Sequence, residues 1–321
     1  MTDTKGMDDP DGTDRSDEMF GEADDWQEAA AAAYAAAETS AEGPGWPERH
    51  TGPVIRRRGQ VQSGTTDQRL LDSRGSTDWV HSDPWRVLRI QSEFVEGFGA
   101  LAELGPAVSV FGSARTPVDS REYDSGVRIG RALAEAGLAV ITGGGPGAME
   151  AVNLGARLGS TPDALDDALA RLANAPEYRA GTAKWARPAL DIAAEFPAAS
   201  PNLGVPTWFY GQEPPNAFAT RHAKYFSNAL REDVLLTRCR GGLIVLPGEA
   251  GTVQEVFQAA TRNYYAAHED LVTPFILVGR HHWTETLPVW SLLQSLGAGR
   301  AMGRHIYLVD TVDEAVESLQ A

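Results

Sequence analysis

The sequence predicts a doubly wound, mostly parallel α/β sheet with helices on both faces. Short apolar runs alternate with stretches of helical periodicity, the pattern of strands joined by crossover helices. Three of those runs end directly in glycine-bearing turns, where buried parallel strands hand over to helices. Hydrophobic residues make up 42% of the 321 residues, enough for a sizeable core.

Residues 1–75 read as a disordered acidic tail. Asp8–Gly12 and Glu42–Pro47 are poor in aliphatics and rich in chain breakers. Residues 1–50 hold 14 Asp and Glu against 3 Lys and Arg. Within the tail, the alanine run Ala29–Ala37 is able to form a helix or dock on a partner, and Arg56–Arg57–Arg58 makes a short basic cluster.

Residues 76–321 read as a single domain. Val87, Ile90, Phe94, Val95 and Phe98 recur at helical spacing. Ala107–Gly112 is an apolar run closed by glycine, hence a buried strand. A helix follows near Tyr123–Ala136, and a second strand runs Leu138–Thr142. Gly143–Gly147 punctuates that strand, and a helix opens at Ala148. Residues 162–199 read as a helical insertion, with Leu165, Ala168, Leu169 and Leu172 giving one helix and Ala183–Phe196 the other.

The alternation then resumes. Leu203–Phe209, Leu243–Leu246, Phe275–Val278 and Ile306–Val309 read as strands. Asn228–Cys239, Thr252–Tyr265, Trp290–Leu296 and Val312–Leu319 read as helices.

Composition removes several classes of function. The net charge is −16, and the first 50 residues carry −11 of it, so no basic footprint for a nucleic acid polymer exists. The single cysteine, Cys239, excludes a disulfide framework and a multi-cysteine zinc site, and reads as a small buried hydrophobe. His281 and His282 are adjacent and point apart, and the other histidines are scattered, so no metal is expected. No membrane-spanning run or signal peptide is apparent, which predicts a cytoplasmic protein without a membrane partner.

The chemistry concentrates at the strand ends. Helix starts present unpaired N–H groups and a positive dipole end, which suit phosphate. Gly251 and Thr252 open a helix after a strand. Thr252 can equally be an ordinary helix cap, with Glu255 three residues on completing a capping box. Gly143, Gly145 and Ala148 fit only the looser form of the dinucleotide fingerprint, and no P-loop is present. A Schiff-base enzyme would have only Lys5, Lys184 and Lys224 to draw on, none at a convincing strand end.

Thr142-Gly-Gly-Gly-Pro-Gly-Ala-Met-Glu150 followed by Pro247-Gly-Glu-Ala-Gly-Thr-Val-Gln-Glu255 resembles the Lonely Guy (LOG) family of nucleoside 5′-monophosphate phosphoribohydrolases. Some members of that family have been labelled lysine decarboxylases, which the lysine census argues against here. The resemblance covers residues 105–320 and skips the tail and the insertion. It implies a Rossmann-like homodimer that cleaves the N-glycosidic bond of an AMP-like nucleoside monophosphate without a cofactor, releasing free base and ribose 5-phosphate. Under it, Glu255 and Arg231 are the catalytic residues, with Arg221 as the competitor for the arginine role. Ser113, Gly143, Gly144, Gly145, Gly248, Gly251 and Thr252 are the phosphate- and nucleotide-binding residues. Arg115 could line the nucleotide or form a surface ion pair.

The sequence departs from the family at Glu249, which stands where the family has glycine. Its carboxylate either faces the phosphate or turns outward to an arginine. The aromatic stretch from Pro206 to Asn216 can stack a base or serve core and dimer packing. The alternative function is a non-catalytic nucleotide- or cofactor-binding protein on the same fold.

Overall fold

A computed structural model describes residues 55–56, 86–101, 104–105, 107–159, 161–175, 182–196, 200–207, 216–225 and 227–319. Eight strands form one sheet: β1 (Ile55–Arg56), β2 (Ala107–Phe111), β3 (Ala139–Thr142), β4 (Asn202–Gly204), β5 (Arg221–Ala223), β6 (Gly242–Val245), β7 (Phe275–Val278) and β8 (Ile306–Val309). Their spatial order is β1-β5-β4-β3-β2-β6-β7-β8. All pairings are parallel except β1 with β5. The expected doubly wound α/β fold is therefore present. The winding reverses between β2 and β6, and the crevice outside the carboxyl ends of those strands is where such sheets bind ligands.

The strands read from the sequence as continuous apolar runs because both of their faces are covered. Every residue of β2, β3, β6 and β7 is buried. Nine helices accompany them among the described residues: α1 (Arg86–Leu101), α2 (Arg121–Glu135), α3 (Ala148–Leu158), α4 (Pro162–Ala173), α5 (Thr182–Glu195), α6 (Asn228–Arg238), α7 (Ala250–Tyr264), α8 (Trp290–Gly297) and α9 (Val312–Glu317).

One face of the sheet packs Val108, Val110 and Ile244 against Ile129 and Leu133 of α2, Val152 of α3 and Ala315 of α9. The other packs Phe111, Ile141 and Val245 against Leu235 of α6, Val256 of α7 and Leu293 of α8. Each such fully buried aliphatic or aromatic side chain contributes about 1.5–3 kcal/mol.

The region expected as a helical insertion holds α4 and α5, which form a third layer outside α2 and α3. Leu172, Ala186, Leu190 and Ile192 bury against Tyr123, Val127, Leu154 and Leu158. Arg157 of α3 ties the layer down, donating from Nε to Phe196 O at 2.8 Å and from Nη2 to Ala193 O at 2.5 Å. A cation on the last carbonyls of α5 also complements its dipole.

Below this layer α2 and α3 cross in near backbone contact. A Cβ on Gly130 would lie 2.0 Å from Val152 O, and one on Gly155 would lie 1.9 Å from Val127 O.

Two polar strands escaped the sequence reading as full members of the sheet. β5 is Arg-His-Ala, lying outside β4 with two of its residues only half buried, so it lacks the apolar run that marks the central strands. β1 falls in the stretch expected to be a disordered tail and pairs antiparallel on β5, Ile55 opposite Ala223. An open strand edge offers unpaired backbone groups to any extended segment that reaches it. The alanine run and the remainder of the tail lie outside the described residues, as do residues 208–215 of the aromatic stretch.

Candidate functional site

The loops after β2, β3 and β6 are bonded to one another at the switch point. Ser113 N–H donates to Pro247 O at 3.2 Å, and Ala148 N–H donates to Ser113 O at 3.0 Å. Gly147 turns at φ +69°, and a Cβ there would lie 2.5 Å from Ser113 O, so only glycine lets the two loops meet. Both backbone groups of Ser113 are thereby committed. Its hydroxyl accepts from Arg115 N–H at 3.1 Å. Of the groups expected to bind a nucleotide at Ser113, the hydroxyl proton is the one left to donate.

The glycine-rich loop is anchored from below by a buried polar network. The Thr142 hydroxyl donates to Asn153 Oδ1 at 2.6 Å, and Gly144 N–H donates to Thr142 Oγ1 at 3.1 Å. Asn216 donates to the same Asn153 oxygen at 2.7 Å, and Asn153 donates to Asn202 at 2.9 Å. The Gly144 N–H, expected to take phosphate, is therefore spent inside the protein. Its role is to rigidify the loop. Burial raises the cost of leaving any member unpaired, so the network holds the loop in one shape.

Arg231, Glu232 and Glu255 converge beneath that loop. Arg231 and Glu232 are the fourth and fifth residues of α6, and Glu255 sits on α7. All three are buried. Arg231 Nη1 lies 3.5 Å from Glu255 Oε1 and 3.4 Å from Glu232 Oε1. The same nitrogen would be 3.2 Å from a Cβ on Gly143, so that glycine makes room for the guanidinium. Gly143, Arg231 and Glu255 thus meet in space although 112 residues separate the first from the last.

Burial pushes the Glu232 carboxyl up from its ordinary value, with Arg231 pulling the other way. Glu232 was not anticipated by sequence. Its place beside Arg231 was the available signal. Arg221, the competing arginine, lies in β5.

The start of α7 differs from the capping-box reading. The cap is Glu249, without a side-chain bond to the helix, and Thr252 is the third helical residue. Glu255 therefore cannot reach back as a capping box, and it faces Arg231 instead. By helix geometry the N–H groups of Ala250, Gly251 and Thr252 have no partner within the helix. Nothing lies within 4 Å of a Cβ built on Gly251, so this turn faces open space. The Thr252 hydroxyl is pressed under Gly248, where an added Cβ would lie 2.2 Å from it. His282, read from sequence only as a non-ligand, supports the turn with Nε2 3.0 Å from Gly248 O.

Glu249 turns outward: its Oε2 takes the Arg115 guanidinium at 2.5 Å, with both side chains largely exposed. Arg115 therefore forms an ion pair on the lip of the crevice. Gly145 is buried within the loop. Cys239 is buried, and burial pushes its thiol up to about 11, which leaves it protonated and unreactive. Among the described residues no three His, Cys, Asp or Glu gather as a metal would need, and no helix is long and apolar enough to cross a membrane.

Residues 106–160 match the family model of the SLOG cluster4 family. No curated protein matches the chain significantly. The structure is similar to the molybdenum cofactor binding protein from the phototrophic bacterium Rippkaea orientalis, at 15% identity and a TM-score of 0.42, covering 67% of this chain and 95% of that one. It is also similar to the Moco carrier protein from Chlamydomonas reinhardtii, at 17% identity and a TM-score of 0.41, with the same coverage. The SLOG match spans β2 to α3 of the doubly wound sheet and includes the glycine-rich loop.

Proposed function

We propose that the chain hydrolyses the N-glycosidic bond of a nucleoside 5′-monophosphate, acting as a homodimer. The observation that carries this reading is the buried Arg231–Glu255 pair, seated under the glycine-rich loop beside the open first turn of α7. The N–H groups of Ala250, Gly251 and Thr252 take the phosphate. As the bond between C1′ and the base nitrogen breaks, positive charge develops on the ribose. Glu255 stabilises that charge and orients the water whose oxygen bonds C1′. One water proton goes to the leaving base and the hydroxyl stays on ribose 5-phosphate. Arg231 holds Glu255 in place.

Incubation with a panel of nucleoside 5′-monophosphates, followed by chromatography for free base, tests the reading. Glu255→Gln keeps the shape and removes the charge, so base release should fall by more than about a hundredfold while nucleotide binding persists. Unchanged release in the variant would overturn it.

A second reading, nucleotide binding without turnover, is favoured by one feature. Arg231 already faces two carboxylates and Arg115 faces a third, so α7's first-turn amides would be the main attraction for phosphate. Tight binding with no base released from any nucleotide would select this reading.

A further inference from the structure

The insertion helices enclose a cavity of about 610 Å³ between α4, α5, the loop after β2 and the start of α3. It lies on the face of the sheet covered by α2 and α3, whereas Arg231 and Glu255 stand on the face covered by α6 and α7. Its walls are mainly apolar, with Leu172 from α4 and Trp185 from α5. Glu150, in the first turn of α3, also lines it.

The Glu150 side chain is buried, 5% exposed, and the Tyr123 hydroxyl donates to its Oε1 at 3.2 Å. A buried carboxyl on a cavity wall is costly unless something there uses it. Two other lining donors are already engaged. The Thr116 hydroxyl donates to Ser113 O at 3.0 Å, and Arg115 is held by Glu249. What remains facing the space as acceptors are the carboxyls of Glu150 and Asp119. An occupant must therefore bring donors, and the apolar walls with an indole among them suit a flat ring.

We propose that this cavity binds a planar heterocycle presenting two adjacent N–H donors, as the guanine edge does, with Glu150 accepting both. The site is separate from the proposed hydrolytic centre and does not depend on it. A carboxylate has two acceptor oxygens at the spacing of two parallel N–H groups, and each oxygen retains a lone pair beyond the one Tyr123 uses. The volume falls within the usual range for small-ligand sites. The insertion supplies the outer wall, so the cavity is a property of this chain and not of the bare doubly wound sheet.

The probes are guanosine and inosine, which differ by the 2-amino group and lack the phosphate that the α7 start would recognise. Isothermal titration of the full chain at pH 8 should show guanosine bound at least tenfold more tightly than inosine, since the missing donor leaves one carboxylate oxygen unpaired. Glu150→Gln presents a donor where an acceptor is needed and should weaken guanosine at least tenfold. Ala173→Trp, placed at an exposed lining position, should block guanosine by filling the space while leaving the melting temperature within a few degrees. Glu255→Gln should leave guanosine affinity unchanged. Equal affinity for the two nucleosides, no binding of guanosine at millimolar concentration, or guanosine binding indifferent to both cavity variants would overturn the proposal.

Discussion

Glu150→Gln should stabilise the protein above neutral pH. Burial raises the Glu150 carboxyl from 4.5 to about 7, and the Tyr123 hydrogen bond lowers it only in part. The folded protein thus keeps its proton to near neutrality, while the unfolded chain gives it up at ordinary carboxylate pH. This group's favourable contribution is fully present below 4.5 and is lost as pH rises through 7. At about 1.36 kcal/mol per pH unit, the loss between those limits is roughly 3 kcal/mol. Glutamine has nothing to ionise, and its Oε1 still accepts from Tyr123. That hydroxyl stays protonated, because burial, the main cause of its upward shift, acts in the variant too. Urea denaturation of both proteins from pH 4.5 to 8 isolates the effect as a difference of differences. The variant should gain about 3 kcal/mol relative to wild type across the range. A stability difference that does not change with pH would refute the burial of an ionisable Glu150. A gain in stability joined to loss of guanosine binding is the signature of a group kept for function at a cost to the fold.

His222 carries the opposite dependence. Burial, aided by the charge of Lys224, lowers it from 6.5 to about 4, against the pull of its bond to Asn216 O. Its contribution is present above 6.5 and lost as pH falls through 4, and because the ring is only half buried it should amount to about 2 kcal/mol. His222→Gln should flatten the acid limb of the urea-midpoint profile, and an unchanged limb would count against a neutral, buried imidazole. Gly155→Ala should cost about 3 kcal/mol, because its methyl would lie 1.9 Å from Val127 O and must push α2 and α3 apart. Equilibrium unfolding measures it, and a loss below about 0.5 kcal/mol would mean that the helices do not cross so closely.

The strands that were legible in sequence are those covered on both faces. β2, β3, β6 and β7 are buried throughout and mostly apolar, so burial writes itself into composition. Polar β5 and two-residue β1 leave no such trace. The glycine-rich turns were legible as loops at strand ends, but the destination of each N–H was not. Gly144 N–H bonds Thr142 and Ser113 N–H bonds Pro247, partners that only the fold reveals. Thr252 followed by Glu255 has capping-box spacing, yet the helix begins two residues earlier, at Ala250, and the spacing loses its meaning. Asn153 on α3, Asn202 on β4 and Asn216 before β5 join side chain to side chain through the packing of α3 on the sheet, which no local pattern encodes. Glu150 was visible as the end of a motif, but its burial depends on an insertion whose docking the local sequence does not specify.

Glu249 is where the physical argument changes most between sequence and structure. Facing a phosphate at roughly 5 Å, its carboxylate would oppose binding by on the order of 3 kcal/mol at an effective dielectric of about 20. Its side chain instead leaves the helix start and meets Arg115. Both groups are mostly in water, so the pair itself adds little stability. Its effect is on the local charge: a carboxylate matched by a guanidinium presents a near-neutral pair, and solvent screens the remainder within about a Debye length. The α7 amides then act on an incoming anion without a fixed negative charge beside them. The same contact holds Arg115 on the lip that also borders the Glu150 cavity, where a free guanidinium would compete with a ligand's N–H groups for that carboxyl. One surface pair thus keeps the helix start receptive to anions and leaves Glu150 available to donors.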